Sequence, residues 1–262
     1  NTGRTIGAVV AACAVAACVV GGIWIVTNNQ SEPQSQTRAA ADVSAAPAPQ
    51  AAAAADALTG KSFRGADLTG RNLSGANLAG ADFRQANLTG ANLTGANLTR
   101  ARFEGAQLVN TNFTQARLTR ANISTALTTG ANFSGASLGA TEFGRPSLAG
   151  VNLSGTDLTE AAIDLRRQSL TTTTLTGTRL TGMNLTGSDL TGLDLRGAQL
   201  QTANLSGANL SRVILNRANL QGANLTRSIL TAATVAEANL TEASLSGAEL
   251  TGTVLKAVIL AD

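Results

Sequence analysis

Chemistry in this chain has to come from a short list of side chains. It has no His and no Tyr, and only 13% of its residues are charged. General acid–base catalysis would fall to a perturbed carboxylate or lysine. The acidic residues are scattered, and from residue 58 onward the lysines are Lys61 and Lys256 alone. Cys13 and Cys18 sit in an apolar run and no Cys follows, so no Cys/His cluster offers a transition-metal site. The expectation is a protein that is not an enzyme and holds no cofactor or metal. Asn-Leu-Thr triplets such as Asn87-Leu88-Thr89 fit the glycosylation pattern, but they recur as by-products of a repeat.

What remains is recognition. Arg100 and Arg120 are twenty residues apart, Arg117 lies beside the second, and Arg102 follows the first. If residues twenty apart stack, these four form a basic patch suited to an anionic partner. Arg166 and Arg167 lie in Asp164-Leu165-Arg166-Arg167-Gln168, where the spacing of the chain slips by two. A deviation from a regular scaffold is a place for a binding loop. Near the end, Val254 and Ile259 take slots that are mostly Asn or Asp elsewhere, and Val258 replaces a common Ala. That apolar coil is a candidate association end, for a partner protein or for a two-fold homodimer. The formal net charge of +3 is small, so no nucleic-acid partner is expected.

These residues are positioned by a repeat. A Leu, Phe or Ile recurs every fifth residue from Leu58 to Ile163, with Thr128 the exception. After the slip at 164–168 it recurs from Leu165 to Leu260, with Val235 the one other type. Phe63, Phe83, Phe103 and Phe143 fall on one twenty-residue line, and Phe113 and Phe133 on another. Four five-residue sides per turn would stack residues twenty apart into a solenoid of about ten coils, about 50 Å tall at ~4.8 Å per stacked strand. In Ala91-Asn92-Leu93-Thr94-Gly95, alternation turns Ala91 and Leu93 inward and Asn92 outward. Thr94 and Gly95 make the corner. Asp82 precedes Arg102 by twenty, Arg84 precedes Glu104 and Arg217 precedes Glu237, as stacked opposite charges should. Asn72, Asn92, Asn112, Asn132 and Asn152 predict an amide ladder.

Two segments precede the repeats. The uncharged run Ile6–Val26 predicts a transmembrane α-helix or signal anchor over residues 1–27. Arg4 before it places the N-terminus in the cytoplasm and the repeats outside, and Trp24 suits an interfacial anchor. A cleaved signal peptide, or lipidation at Cys13 or Cys18, is the alternative. Gly7, Ala8, Ala11, Ala12 and Ala16 have the spacing of a helix-packing face. Residues 28–57, rich in Ala and Pro, read as a flexible spacer.

Repeats of the form A(D/N)LXX, such as Ala66-Asp67-Leu68-Thr69-Gly70 and Ala208-Asn209-Leu210-Ser211-Arg212, make residues 58–262 resemble the pentapeptide-repeat proteins. The resemblance implies an all-β solenoid, a right-handed quadrilateral parallel β-helix. Its quinolone-resistance branch resembles DNA in size and charge, binds gyrase and dimerises through C-terminal coils. This chain differs in being slightly basic and in having the apolar run. The reading is a membrane-anchored binding or scaffold protein with protein partners. The alternative is an accessory subunit of a larger membrane complex; a gyrase-binding DNA mimic or enzyme regulator is less favoured.

Overall fold

The computed structural model describes residues 16–20, 23–27, 58–144, 147–167, 170 and 172–260. The chain divides into two compact units, Asn1–Ala54 and Ala55–Asp262. The spacer expected over 28–57 lies outside the described residues.

The expected transmembrane helix is corrected in its described part. Strands β1 (Ala16–Val20) and β2 (Ile23–Thr27) pair antiparallel, from Ala16 opposite Thr27 to Val20 opposite Ile23. The physical reason lies in composition. Val19, Val20, Ile23, Ile25 and Val26 are β-branched and favour extended backbone, and the Gly21-Gly22 pair between the strands is poor in a helix. No helix among the described residues is long and apolar enough to cross a membrane. The rest of Ile6–Val26 lies outside the described residues.

The second unit is built from one five-residue motif. Leu93 N–H donates to Asn112 O at 2.7 Å in the next coil, and Gly95 N–H to Thr114 O at 2.9 Å. Asn92 N–H donates back to Arg71 O at 2.8 Å. Ala96 N–H closes the corner on Leu93 O at 3.0 Å. That corner is a type II turn, which needs positive φ at its third residue, and Gly95 supplies it at +64°. The pattern recurs along the chain, and parallel bridges join residues twenty apart from Ser62–Asp82 to Asn239–Ile259.

We number the four sides by their inward residues. The first carries Leu58, Leu78, Leu98, Leu118, Leu138 and Leu158, and the second starts at Phe63, the third at Leu68 and the fourth at Leu73. Ala91 and Leu93 are fully buried while Asn92 is half-buried, as alternation predicts. Phe63, Phe83 and Phe103 stack with ring centroids 5.0 Å apart. Phe113 and Phe133 form a second stack at 4.8 Å, and Phe103 meets Phe113 edge-on at 6.0 Å. Where Thr replaces the inward Ala, its hydroxyl finds a carbonyl, as Thr111 Oγ1 does on Leu88 O at 2.7 Å. Thr128 is also buried, and its hydroxyl donates to Ser147 O at 2.7 Å.

The slip is absorbed on the second side. Strand β3 (Glu142–Gly144) pairs in parallel with β4 (Ala162–Ile163) through an irregular register, and a 3-10 turn follows at Leu165–Arg167. The five-residue phase would put Ile163 inside. Instead Ile163 is half-buried and Leu165 fills the interior. Beyond the slip, Asn152 pairs with Thr174 and Asp157 with Arg179, twenty-two residues apart, before the twenty-residue register resumes at Arg179–Gln199. Close approach at β3 requires glycine, because a Cβ on Gly144 would lie 2.5 Å from Ser124 O.

A carboxylate in this interior has no partner. Leu93→Asp should cost several kcal/mol through desolvation, whereas Thr94→Asp at the corner should cost within about 0.5 kcal/mol. Thermal melting of the two variants checks this, and equal melting temperatures would contradict the inward assignment of Leu93.

Candidate functional site

The outward Asp and Asn residues first serve their own turn. Asn92 Oδ1 accepts Thr94 N–H at 3.1 Å and the Thr94 hydroxyl at 2.6 Å. The expected amide ladder is therefore only partial. Asn92 donates to Asn72 Oδ1 at 3.2 Å and Asn97 to Asn77 Oδ1 at 3.0 Å, but Asn132 turns to the Thr114 hydroxyl at 3.1 Å. Asp67 and Asp189 use the same turn, and the hydrogen bonds from Thr69 and Thr191 lower their carboxyls below the ordinary range.

The charges pair differently from the stacking expectation. Arg217 Nε does reach Glu237 of the next coil at 2.8 Å. Asp82, however, accepts from Arg84 Nε at 2.8 Å, and Glu104 accepts from Arg102 Nη2 at 3.2 Å, each partner two residues along. The alternation itself carries the missed signal: residues flanking one inward side chain share the outer face, so a side chain two residues along competes with the one stacked a coil away. Asp164–Arg166 and Asp194–Arg196 follow the same rule, with Nε distances of 2.8 and 2.9 Å. Arg102 and Arg166, offered by the sequence as free cations, are therefore occupied. Arg167 ends the 3-10 turn.

Arg100, Arg117 and Arg120 are exposed, and among the described residues no ion pair engages them. Arg100 N–H bonds to Thr119 O at 3.0 Å and Arg120 N–H to Gly139 O at 2.9 Å, which stacks their corners in successive coils. Both take φ of 60°, a conformation that costs a side-chain-bearing residue about 1–2 kcal/mol. Thr59, Ala79, Gly80, Thr99 and Thr119 complete a shallow groove of about 470 Å³ along this edge. Arg117 stands on the same first side, bridged to Asn97 and Ser137. Among the described residues no group of three or more His, Cys, Asp or Glu side chains could hold a metal ion.

The C-terminal coil is open. Val254 is 49% and Ile259 56% exposed, while Val258 is half-buried. The sequence reading missed the larger feature, which is that the inward leucines here are uncovered: Leu255 is 53% and Leu260 68% exposed. Together with Leu240, Leu245 and Leu250 they line a cavity of about 330 Å³.

A profile of pentapeptide repeats (8 copies) matches residues 62–100, 96–126, 129–161, 169–207, 194–231 and 218–256. The chain belongs to the pentapeptide-repeat family. Among solved structures it is similar to HetL, a pentapeptide repeat protein involved in heterocyst differentiation regulation from the cyanobacterium Nostoc sp. Strain PCC 7120. That match has 30% identity and a TM-score of 0.44, and covers 78% of this chain and 91% of HetL. A pentapeptide repeat protein of the Arabidopsis thaliana thylakoid lumen is 31% identical, covering 41% of this chain and 72% of that one, with a TM-score of 0.32. Full-length QnrB1, a plasmid-mediated fluoroquinolone resistance protein, is 19% identical over 78% of this chain and 91% of its own, with a TM-score of 0.27. No curated protein matches the chain.

The local pairing in this pentapeptide-repeat surface is testable by titration. The Arg84 side-chain hydrogen bond holds the Asp82 carboxyl at about 2, against an ordinary value of 3.8. A depressed carboxyl stabilises the fold above its unfolded pKa and loses that contribution as pH falls through the folded value. Asp82 should therefore withdraw its stabilisation between about pH 4 and pH 2. In Arg84→Ala, NMR titration should move Asp82 back toward 3.8; an unmoved carboxyl would refute the pairing.

Proposed function

We propose that this pentapeptide-repeat chain is a non-catalytic, membrane-anchored binding or scaffold protein that presents its β-helix outside the cytoplasm. The observation that carries the binding role is the edge of Arg100, Arg117 and Arg120. Elsewhere many charges on the tower are quenched by a neighbour two residues away or one coil away. Among the described residues these three are exposed and in no ion pair, on adjacent coils of one side. Stacked like charges are unfavourable unless an anionic group neutralises them. The partner surface is accordingly acidic. The alternative role, an accessory subunit bracing a larger membrane complex, would use the same surface. The slightly basic balance, +3 overall, weighs against a DNA mimic.

Anchoring rests on the uncharged run Ile6–Val26. Arg4 supports a cytoplasmic N-terminus. In sealed right-side-out vesicles, protease added outside should digest the repeats, and full protection would overturn this orientation. From the same membranes in mild detergent, wild type should retain a stoichiometric partner that the Arg100→Ala, Arg117→Ala, Arg120→Ala variant loses, with stability changed by no more than about 0.5 kcal/mol per site. Retention by the variant would sink the arginine surface.

A second reading is favoured by the exposed Leu255, Leu260, Val254 and Ile259: the C-terminal coil is an association end, for a homodimer or a partner. Sedimentation of Val254→Lys with Ile259→Lys decides it, since an association unchanged by both lysines would exclude this end.

A further inference from the structure

We propose that the partner of the arginine edge is a second copy of this chain, packed side by side and antiparallel through the first side. The inference rests on the reading of that edge as a binding surface, and it concerns a face distinct from the C-terminal coil.

The argument is the order of charges along the first side. Three successive coils matter. The lower one carries Arg117 and Arg120. The middle one carries Ser137, Gly139 and Ala140, with no charge and little bulk. The upper one carries Asp157 and Glu160. The corners are in register, since Arg120 N–H bonds to Gly139 O at 2.9 Å and Ala140 N–H to Glu160 O at 3.0 Å. Positive and negative pairs thus occupy equivalent slots, one coil below and one coil above a small neutral coil.

A two-fold axis along the Ser137–Ala140 strand reverses the solenoid axis and keeps position along the strand. It sets Arg117 opposite Asp157 of the second copy and Arg120 opposite its Glu160, and repeats both pairs by symmetry, as an isologous interface requires. Each pair lies about 5 Å from the axis, one coil spacing away. The residues on the axis are small, and within each copy Gly139 leaves room for the Glu160 carboxylate, whose Oε2 lies 3.4 Å from where a Cβ would stand. No like charges meet one coil further out, where Arg100 faces Gly182 and Arg179 faces Asn97. Asp157 is bonded to Arg179 Nη1 at 3.3 Å, but both side chains are at least half exposed, so its carboxylate remains accessible to a second guanidinium. Glu160, Arg117 and Arg120 are exposed, and none is engaged by an ion pair within the described residues.

The size fits a weak specific dimer. A shared face about 40 Å high and about 15 Å wide, from strand rise and spacing, buries about 1,200 Å² in total, the lower bound of specific interfaces. Exposed ion pairs of this kind are screened by salt. Association should therefore depend on both concentration and ionic strength.

The test exchanges the charges. One variant is Arg117→Asp with Arg120→Glu; the other is Asp157→Arg with Glu160→Arg. Both use residue types already found in these slots, Asp at 157 and Arg at 179 on the strand, Glu at 160 and Arg at 100 at the corner. Full-length chain in mild detergent is followed by sedimentation. Wild type should dimerise, with affinity falling roughly tenfold or more between low and ~0.5 M salt. Each variant alone should be monomeric, because all four pairs become repulsive. An equimolar mixture should dimerise again, because all four become attractive, and this recovery also shows that both variants are folded. A monomeric wild type, a variant that self-associates as wild type does, or a mixture that stays monomeric would each overturn the proposal. If wild type is monomeric yet Arg117→Asp with Arg120→Glu loses a different co-purifying protein, the arginine surface stands and the second copy does not. Val254→Lys with Ile259→Lys should leave this dimer intact; its loss there would assign the association to the C-terminal end instead.

Discussion

Everything in the repeat unit depends on the backbone hydrogen bonds between residues twenty apart. Each side has only five residues, too few for an ordinary hairpin strand with its own turn. Its N–H and C=O groups are satisfied because the next coil lies directly above. Leu93 and Gly95 donate upward while Asn92 donates downward. One residue more or fewer per coil would carry every inward side chain to another position. The corner enforces the count: the type II turn closes on Ala96, and Asn92 Oδ1 holds Thr94 N–H so that the turn begins at the same place each time.

That register dictates the core. Two inward side chains per side, one large and one small, fill a space too narrow for anything else. Five of the six phenylalanines stack on one another across coils, at 4.8–5.0 Å, and Phe143 meets Phe133 edge-on at 6.0 Å. Hydroxyls enter only where a carbonyl is within reach, as Thr141 Oγ1 finds Leu118 O at 2.8 Å. The slip at 164–168 shows the stiffness of the rule. Two extra residues are not spread over neighbouring coils. They are confined to a bulge and a short 3-10 turn, and Leu165 takes the interior in place of Ile163.

The fold was legible because its determinants are periodic. A five-residue spacing identifies the inward residues without knowledge of any contact, and the inward assignment of Ala91 and Leu93 follows from alternation alone. What was not legible depends on competition between near and far partners. Asn72 to Asn152 read as a ladder, yet the backbone amide two residues on is closer and is fixed by the turn, so the ladder forms only where a side chain has capacity to spare. Asp82 and Arg102 stack, yet Arg84 shares the outer face of Asp82 and claims its carboxylate. Arg166 is claimed in the same way by Asp164, two residues before it. Strand β2 contains Ile23, Trp24, Ile25 and Val26, and its apolar content is equally compatible with a helix or a strand, so periodicity could not choose between them.

The separation of inward and outward residues also decides where function can reside. An outward side chain that does not hold a turn, as the Asn92 amide does, contributes nothing to the count of twenty, so it is free to vary with little cost to the fold. Six ion pairs among the described residues nonetheless spend twelve outward charges on a neighbour, which leaves their field short-ranged. A partner arriving from solution senses what is left over. On the first side the remainder is Arg117 and Arg120 with Arg100 a coil below them, a neutral coil of Ser137, Gly139 and Ala140, and then Glu160 beside an Asp157 that is shared with Arg179 but half exposed. Local pairing would have erased that order had the opposite charges stood in adjacent coils, as Arg217 and Glu237 do. One small coil between them keeps the two signs apart, and so keeps them available to a surface that presents the same order in reverse.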